Sequence, residues 1–172
     1  MRNLKLLIPF FAIFMSISSV KGQDNKENKT PEWVLINGIK WATCNVESSG
    51  KFVSSPYMYD EYFSWEEAKN ACPSGWRLPT LKEFKGLLTS DKYWGQKNGV
   101  NGYFFGTVPN QVFFPATGYC ADSLYDQSDY GNYWSSTPKN SRRAWYLLFG
   151  SFGTGCVNIY RYVGFPVRCV AE

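Results

Sequence analysis

The chain has 172 residues, 44% of them hydrophobic and 19% aromatic, with 18 bases, 14 acids, five cysteines and no histidine. That length supports one domain with its own core, and the lack of histidine excludes Ser-His-Asp and Cys-His catalysis and every histidine-ligated metal site. The formal charge of +4 falls to +1 once the leader described next is removed, so neither nucleic acid nor an anionic membrane is expected as a partner.

Arg2 and Lys5 precede an apolar run over residues 6–20, followed by Val20 and Gly22 at the positions a signal peptidase inspects. Residues 1–22 therefore read as a secretory signal peptide, and the mature protein is expected in the periplasm, at the outer surface or secreted. Pro9 and the shortness of the run argue against a membrane anchor, and no second apolar stretch predicts a membrane span after cleavage. All five cysteines lie beyond the leader, where an oxidising compartment lets disulfides persist. No CxxC spacing occurs, so disulfides are preferred to a zinc cluster, and five leaves one thiol over. Residues 23–31 are polar and charged and read as a flexible spacer, with the folded domain at residues 32–172.

The domain opens with Trp33-Val34-Leu35-Ile36 and Ile39-Lys40-Trp41-Ala42 around Asn37-Gly38, a hairpin with a two-residue type I′ turn. Ser64-Trp65-Glu66-Glu67 has capping-box spacing, and its helix is expected to run through Ala68 and Ala71 toward Cys72 before Pro73 stops it. Thr80-Leu81-Lys82-Glu83 repeats the device, with Leu81, Phe84, Leu87 and Leu88 as the buried stripe. Beyond Ser90, short aromatic runs punctuated by glycine, asparagine and proline predict strands at 112–114, 116–120, 133–135, 144–149, 155–161 and 165–170. In the last of these Phe165, Val167 and Cys169 alternate with Pro166, Arg168 and Val170, which predicts one buried face and a place near an edge or bulge. Trp76, Trp134 and Trp145 sit in apolar runs and are assigned to the core.

Six phrases carry a family resemblance: Trp41-Ala42-Thr43-Cys44-Asn45-Val46, Tyr62-Phe63-Ser64-Trp65, Cys72-Pro73-Ser74-Gly75-Trp76-Arg77-Leu78-Pro79, Phe114-Pro115-Ala116-Thr117-Gly118-Tyr119, Tyr133-Trp134-Ser135-Ser136 and Gly164-Phe165-Pro166-Val167-Arg168-Cys169-Val170. In this order they resemble the Fibrobacter succinogenes major paralogous domain, a family of secreted and surface proteins of Bacteroidetes. The resemblance implies an α+β, C-type-lectin-like fold: small antiparallel sheets, two short helices and long loops, stapled by disulfides. It also implies a bridge from Cys72 to Cys169, and a second, Cys120 to Cys156, with Cys44 free.

Sugar-binding lectins of that fold hold calcium through an acidic loop and a Trp-Asn-Asp motif. The matching position here is Trp134-Ser135-Ser136, and hydroxyls are poor substitutes for charged oxygen ligands. Val108-Pro109-Asn110 lacks the acid of the other loop and reads as a turn. Asp122, Asp126 and Asp129 match no calcium-loop template and read as solvated carboxylates. No cofactor or metal is expected.

Tyr125, Tyr130, Tyr133 and Tyr160 stand among small polar residues, the composition of adaptable binding surfaces, or else they simply rim an aromatic sheet. The expected ligand contacts are Tyr125, Tyr130 and Tyr160 as ring faces, Asp126, Asp129 and Asn132 as polar groups, and Arg161 as a charge. Arg142 and Arg143 either meet an acidic ligand group or are solvated. The function expected is a non-catalytic, calcium-independent binding module for a glycan or a surface protein. Its alternatives are an interaction subunit of a surface assembly and an enzyme akin to formylglycine-generating proteins, whose reactive cysteine motif is absent here.

Overall fold

A computed structural model describes residues 33–48, 50–58 and 61–172; the expected leader and spacer lie outside the described residues. Strands β1 (Trp33–Ile36) and β2 (Ile39–Ala42) form the opening hairpin. Asn37 and Gly38 take φ of 50° and 79°, as a type I′ turn requires at both central positions. Strands β3 (Val46–Ser48) and β4 (Lys51–Phe52) make a small second hairpin. Helix α1 spans only Trp65–Ala68 and α2 spans Leu81–Leu87, each with a complete capping box, Ser64 with Glu67 and Thr80 with Glu83. α1 ends sooner than expected, because residues 69–71 continue as turns bonded back to Glu67 and Ala68.

Between the helices lies β5 (Trp76–Arg77). Then come β6 (Lys92–Lys97), β7 (Val100–Thr107) and β8 (Asn110–Pro115), a three-stranded meander. Of these three strands the sequence pattern predicts only the centre of β8. A second Asn-Gly turn, Asn98-Gly99 with φ of 51° and 79°, joins β6 to β7, whose glycines weaken the strand signal. Gly102 cannot be larger: a Cβ there would stand 2.3 Å from the Phe114 carbonyl oxygen and 2.6 Å from the Phe113 ring.

After the β9 (Tyr119–Cys120) and β10 (Leu124–Tyr125) ribbon, β11 (Tyr130–Pro138), β12 (Arg143–Gly150) and β13 (Gly153–Tyr160) form a second three-stranded meander. β14 (Val170–Ala171) returns to lie between β2 and β5, so the two ends of the domain share one sheet. The described chain is thus built of small antiparallel sheets, two short helices and one disulfide. Among the described residues no helix is long and apolar enough to cross a membrane.

The final segment departs most from expectation. Only Val170–Ala171 is strand, and both faces of residues 165–170 are buried. The segment threads the centre of the molecule through bonds from Phe63, Val46 and Ala42 to the carbonyls of Phe165, Val167 and Cys169. It separates two cores, one around Trp65, Trp134, Tyr146 and Phe165, the other around Trp41, Phe84, Phe105, Phe114, Tyr133 and Phe149. Arg168 is fully buried between them. Its Nε donates to Asn45 Oδ1 at 2.6 Å, Nη1 donates to the Ala42 carbonyl at 2.9 Å, and the guanidinium lies 4.5 Å from the Phe114 ring centre. A buried charge of this kind stays only where hydrogen bonds replace its water.

Cys72 and Cys169 are bonded, with Cα atoms 6.0 Å apart. Cys120 and Cys156 are not: both thiols are free, as is the buried Cys44. The reason is placement, for Cys120 sits in β9 beside Gly164, whereas Cys156 lies mid-strand in β13 opposite Leu147 and packs on the second core. The tryptophan assignments divide as well. Trp134 is fully buried, while Trp76 and Trp145 are half-buried, the latter under the Lys139 ammonium at 5.2 Å.

Candidate functional site

At the end of β13 the chain turns and presents Tyr160, Arg161 and Tyr162 in succession. The Arg161 backbone is held on both sides, its N–H donating to the Arg142 carbonyl at 3.1 Å and its carbonyl accepting from Trp65 N–H at 2.8 Å. This places the β11–β12 turn, the end of β13 and the start of α1 around one cleft of about 570 Å³, lined by Ser64, Glu66, Ser141, Arg142, Tyr160, Arg161 and Tyr162. The turn wall is fixed by Asn140, whose Oδ1 accepts from the backbone N–H groups of Arg142 and Arg143, each at 2.9 Å.

Arg161 is the clamp of this cleft. Its guanidinium lies 4.1 Å from the Trp65 ring centre, pairs with Glu66 at 3.0 Å and donates to the Asn140 carbonyl at 2.6 Å. Planar, multi-donor geometry suits arginine and no other cation here. Glu66 also pairs with Lys69 at 2.6 Å. The Lys69 hydrogen bond foremost, with Arg161 adding to it, holds the Glu66 carboxyl below its ordinary range.

Tyr160 and Tyr162 stack with ring centres 5.6 Å apart and planes 14° from parallel. Arg143, the cross-strand partner of Tyr160, lies 4.4 Å from the Tyr160 ring centre. Tyr160 is thus engaged by two neighbours, and Tyr162, 74% exposed, carries the freer ring face. An exposed, pre-positioned ring beside hydroxyls and cations offers an apolar platform with directional polar contacts at its rim.

A second aromatic pair stands on the β9–β10 ribbon. Tyr119 and Tyr125 stack at 5.2 Å and 21°, and the Tyr125 hydroxyl donates to Asp122 Oδ1 at 2.6 Å. That bond lowers the Asp122 carboxyl and raises the Tyr125 phenol relative to their ordinary values. Gly118, at φ 71°, lets the ribbon close, since a Cβ there would meet the Tyr125 carbonyl oxygen at 2.0 Å. Asp126 takes φ 56°, and its carbonyl accepts from Asp129 and Tyr130 N–H. Asp122, Asp126 and Asp129 are not gathered into a ligand set, and no group of three or more acids or cysteines able to hold a metal occurs among the described residues.

The expected contacts therefore fall into two groups, Tyr160 with Arg161 at the cleft and Tyr125, Asp126, Asp129 and Tyr130 around the ribbon. Two tyrosine and asparagine expectations need correction. Tyr133 is fully buried, its hydroxyl donating to the Pro115 carbonyl at 2.8 Å, and Asn132, 4% exposed, donates to the Gly118 carbonyl. They face opposite sides of β11 and are both buried because this strand is covered on both faces. Tyr162, Ser64, Glu66 and Ser141 were missed. The alternation Tyr160-Arg161-Tyr162 was the one signal that pointed to Tyr162.

Ser135, in the Trp134-Ser135-Ser136 phrase, is fully buried, its hydroxyl donating to the Trp145 carbonyl and its own carbonyl accepting from Trp65 Nε1, both at 2.8 Å. It is a strut between β11, β12 and α1. Val108-Pro109 forms the β7–β8 turn, and Asn110 begins β8.

The family model described as Lcl C-terminal domain matches residues 35–171. No curated protein and no solved structure matches the chain.

Proposed function

The chain belongs to the Lcl C-terminal domain family, which is the Fibrobacter major paralogous domain family of the motifs above, and from that premise we propose that it is an exported, C-type-lectin-like, non-catalytic module that binds glycan without calcium. The fold assignment is supported by the shared sheet of the two domain ends, the two short helices and the bridge from beyond α1 to the segment before β14. The observation that carries the function is the cleft at the end of β13, where the exposed Tyr162 ring stands among Ser64, Ser141, Glu66 and Arg142. The C–H face of a sugar ring packs on such a platform, while its hydroxyls meet donors and acceptors at the rim. Calcium independence rests on the buried Ser135 strut and the scattered aspartates.

Two of the three free thiols fit a non-catalytic reading, since Cys44 is buried and burial pushes the Cys156 thiol up, away from the thiolate a nucleophile needs, while Cys120 is half-buried. The test is a glycan array probed with the protein in EDTA. Selective signals that vanish with Tyr162→Ala support the proposal. Silence on glycans together with capture of one surface polypeptide would instead make the domain an interaction subunit.

A further inference from the structure

Both exposed tyrosine stacks are rooted in the same short stretch of chain. Tyr160 and Tyr162 belong to it directly, and Phe165 packs edge-on against Tyr119 with ring centres 6.3 Å apart and planes at 89°. Tyr125 is then the outer ring of a column running from Phe165 through Tyr119. It is 37% exposed, and its hydroxyl is fixed by Asp122 at 2.6 Å. On the cleft side, Tyr162 is the outer ring over Tyr160.

Backbone bonds set the spacing of the two columns. Gly164 and Cys120 exchange N–H to carbonyl bonds of 2.7 and 2.9 Å, so they form a hydrogen-bonded antiparallel pair. From Tyr162 the path runs two residues to Gly164, crosses to Cys120 and takes one more residue to Tyr119. The Cα atoms of Tyr162 and Tyr119 are therefore at most about 17 Å apart. A separation up to that bound is within reach of a short linear chain of sugars. The connecting stretch is closely packed, for a Cβ on Gly164 would approach Tyr62 Cβ at 3.1 Å and the Cys120 carbonyl oxygen at 3.2 Å. The separation of the columns is thus a fixed property of the scaffold and not of a loose loop.

We propose that the Tyr119–Tyr125 column is a second subsite of the glycan-binding cleft, so that the ligand is a linear oligosaccharide engaging Tyr162 at one end and Tyr125 at the other. This rests on the glycan reading of the cleft. Two rigid ring platforms on one scaffold bind a linked ligand more tightly than either alone, because the second contact is intramolecular, and rings already held by packing lose little freedom on binding.

The experiment measures affinities, in EDTA, for the disaccharide, tetrasaccharide and hexasaccharide of three backbones: β-1,4-glucan, chitin and β-1,4-xylan. In the backbone that binds, affinity should rise about ten-fold or more from disaccharide to hexasaccharide. Tyr125→Ala should abolish that gain, Tyr125→Phe should retain it, and Tyr162→Ala should weaken every length. Melting curves of the variants establish that each is folded. Length-independent affinity, or a hexasaccharide affinity untouched by Tyr125→Ala, overturns the second subsite while leaving the cleft standing. Binding of none of the oligosaccharides contradicts the cleft reading, and the second subsite with it.

Discussion

Replacing Arg168 by Met should be among the most damaging single changes in the protein. The substitution keeps an unbranched apolar stem of similar reach and deletes the guanidinium, leaving Asn45 Oδ1 and the Ala42 carbonyl without the donors they have at 2.6 and 2.9 Å. Asn45 is itself 1% exposed and its amide donates to the Tyr133 hydroxyl at 3.2 Å, so the loss reaches the second core. Each buried acceptor left unpaired costs about 1–3 kcal/mol, and losing the stack on Phe114 costs about 1 kcal/mol more. Relief of the desolvated charge offsets part of this, for a net loss of about 3–5 kcal/mol. In a domain of this size that lowers the melting temperature by about 10–15 °C. Differential scanning calorimetry of Arg168→Met beside Arg142→Met, an exposed control expected to stay within about 0.5 kcal/mol, checks the figure. A melting temperature for Arg168→Met within 2–3 °C of the parent, or roughly that of the control, would refute the reasoning.

Other outcomes follow from the same geometry. Arg77 hydrogen bonds, with Thr80 adding to them, hold the Glu83 carboxyl down at about 2; its stabilisation is complete above the unfolded value near 4.5 and is lost as pH falls toward 2. Because Arg77 is partly solvated, Glu83→Gln should cost about 1–3 kcal/mol at pH 7, and urea titrations should show the difference from the parent shrinking between about pH 4.5 and 2; a constant difference across that range would speak against the pair. Replacing Cys72 and Cys169 together by Ser removes a cross-link over a sequence separation of 97 and should cost about 4–5 kcal/mol in the chain-entropy model, read from denaturant midpoints. Thiol titration of the unreduced, denatured protein should find three free groups, with the native protein reacting at the half-buried Cys120 and leaving the buried Cys44 silent; a count of one would restore a second bridge.

Local chemistry was legible in the sequence wherever a short rule decides structure. Asn37-Gly38 and the two capping boxes at Ser64 and Thr80 lie where the spacing places them, because turn dihedrals and cap bonds depend on a few adjacent residues. The central threading of residues 165–170 was not legible. Alternation at Phe165, Val167 and Cys169 implied a solvated opposite face, but that face meets the second core, and Arg168 satisfies it from within. The β6–β7 hairpin was hidden for a related reason, since Gly95 and Gly102 weaken a strand signal while serving close ring-to-backbone packing. At the candidate site, the sequence pointed to Tyr160 and Arg161 but not to Ser64, Glu66 and Ser141, which join them only through the docking of α1 and the β11–β12 turn. Asn132 and Tyr133 misled for the converse reason: polar neighbours in sequence proved to be buried neighbours in space.

The central claim is that the Tyr162 platform binds sugar without calcium, and calorimetric titration of the parent and of Tyr162→Ala, each in EDTA with the strongest ligand from the array, tests it most directly. Truncating an anchoring ring at the centre of a binding site costs about 2 kcal/mol or more, so the account predicts a loss of roughly thirty-fold in affinity with an unchanged melting temperature. Unaltered affinity in Tyr162→Ala, or binding by the parent that EDTA abolishes, would contradict it.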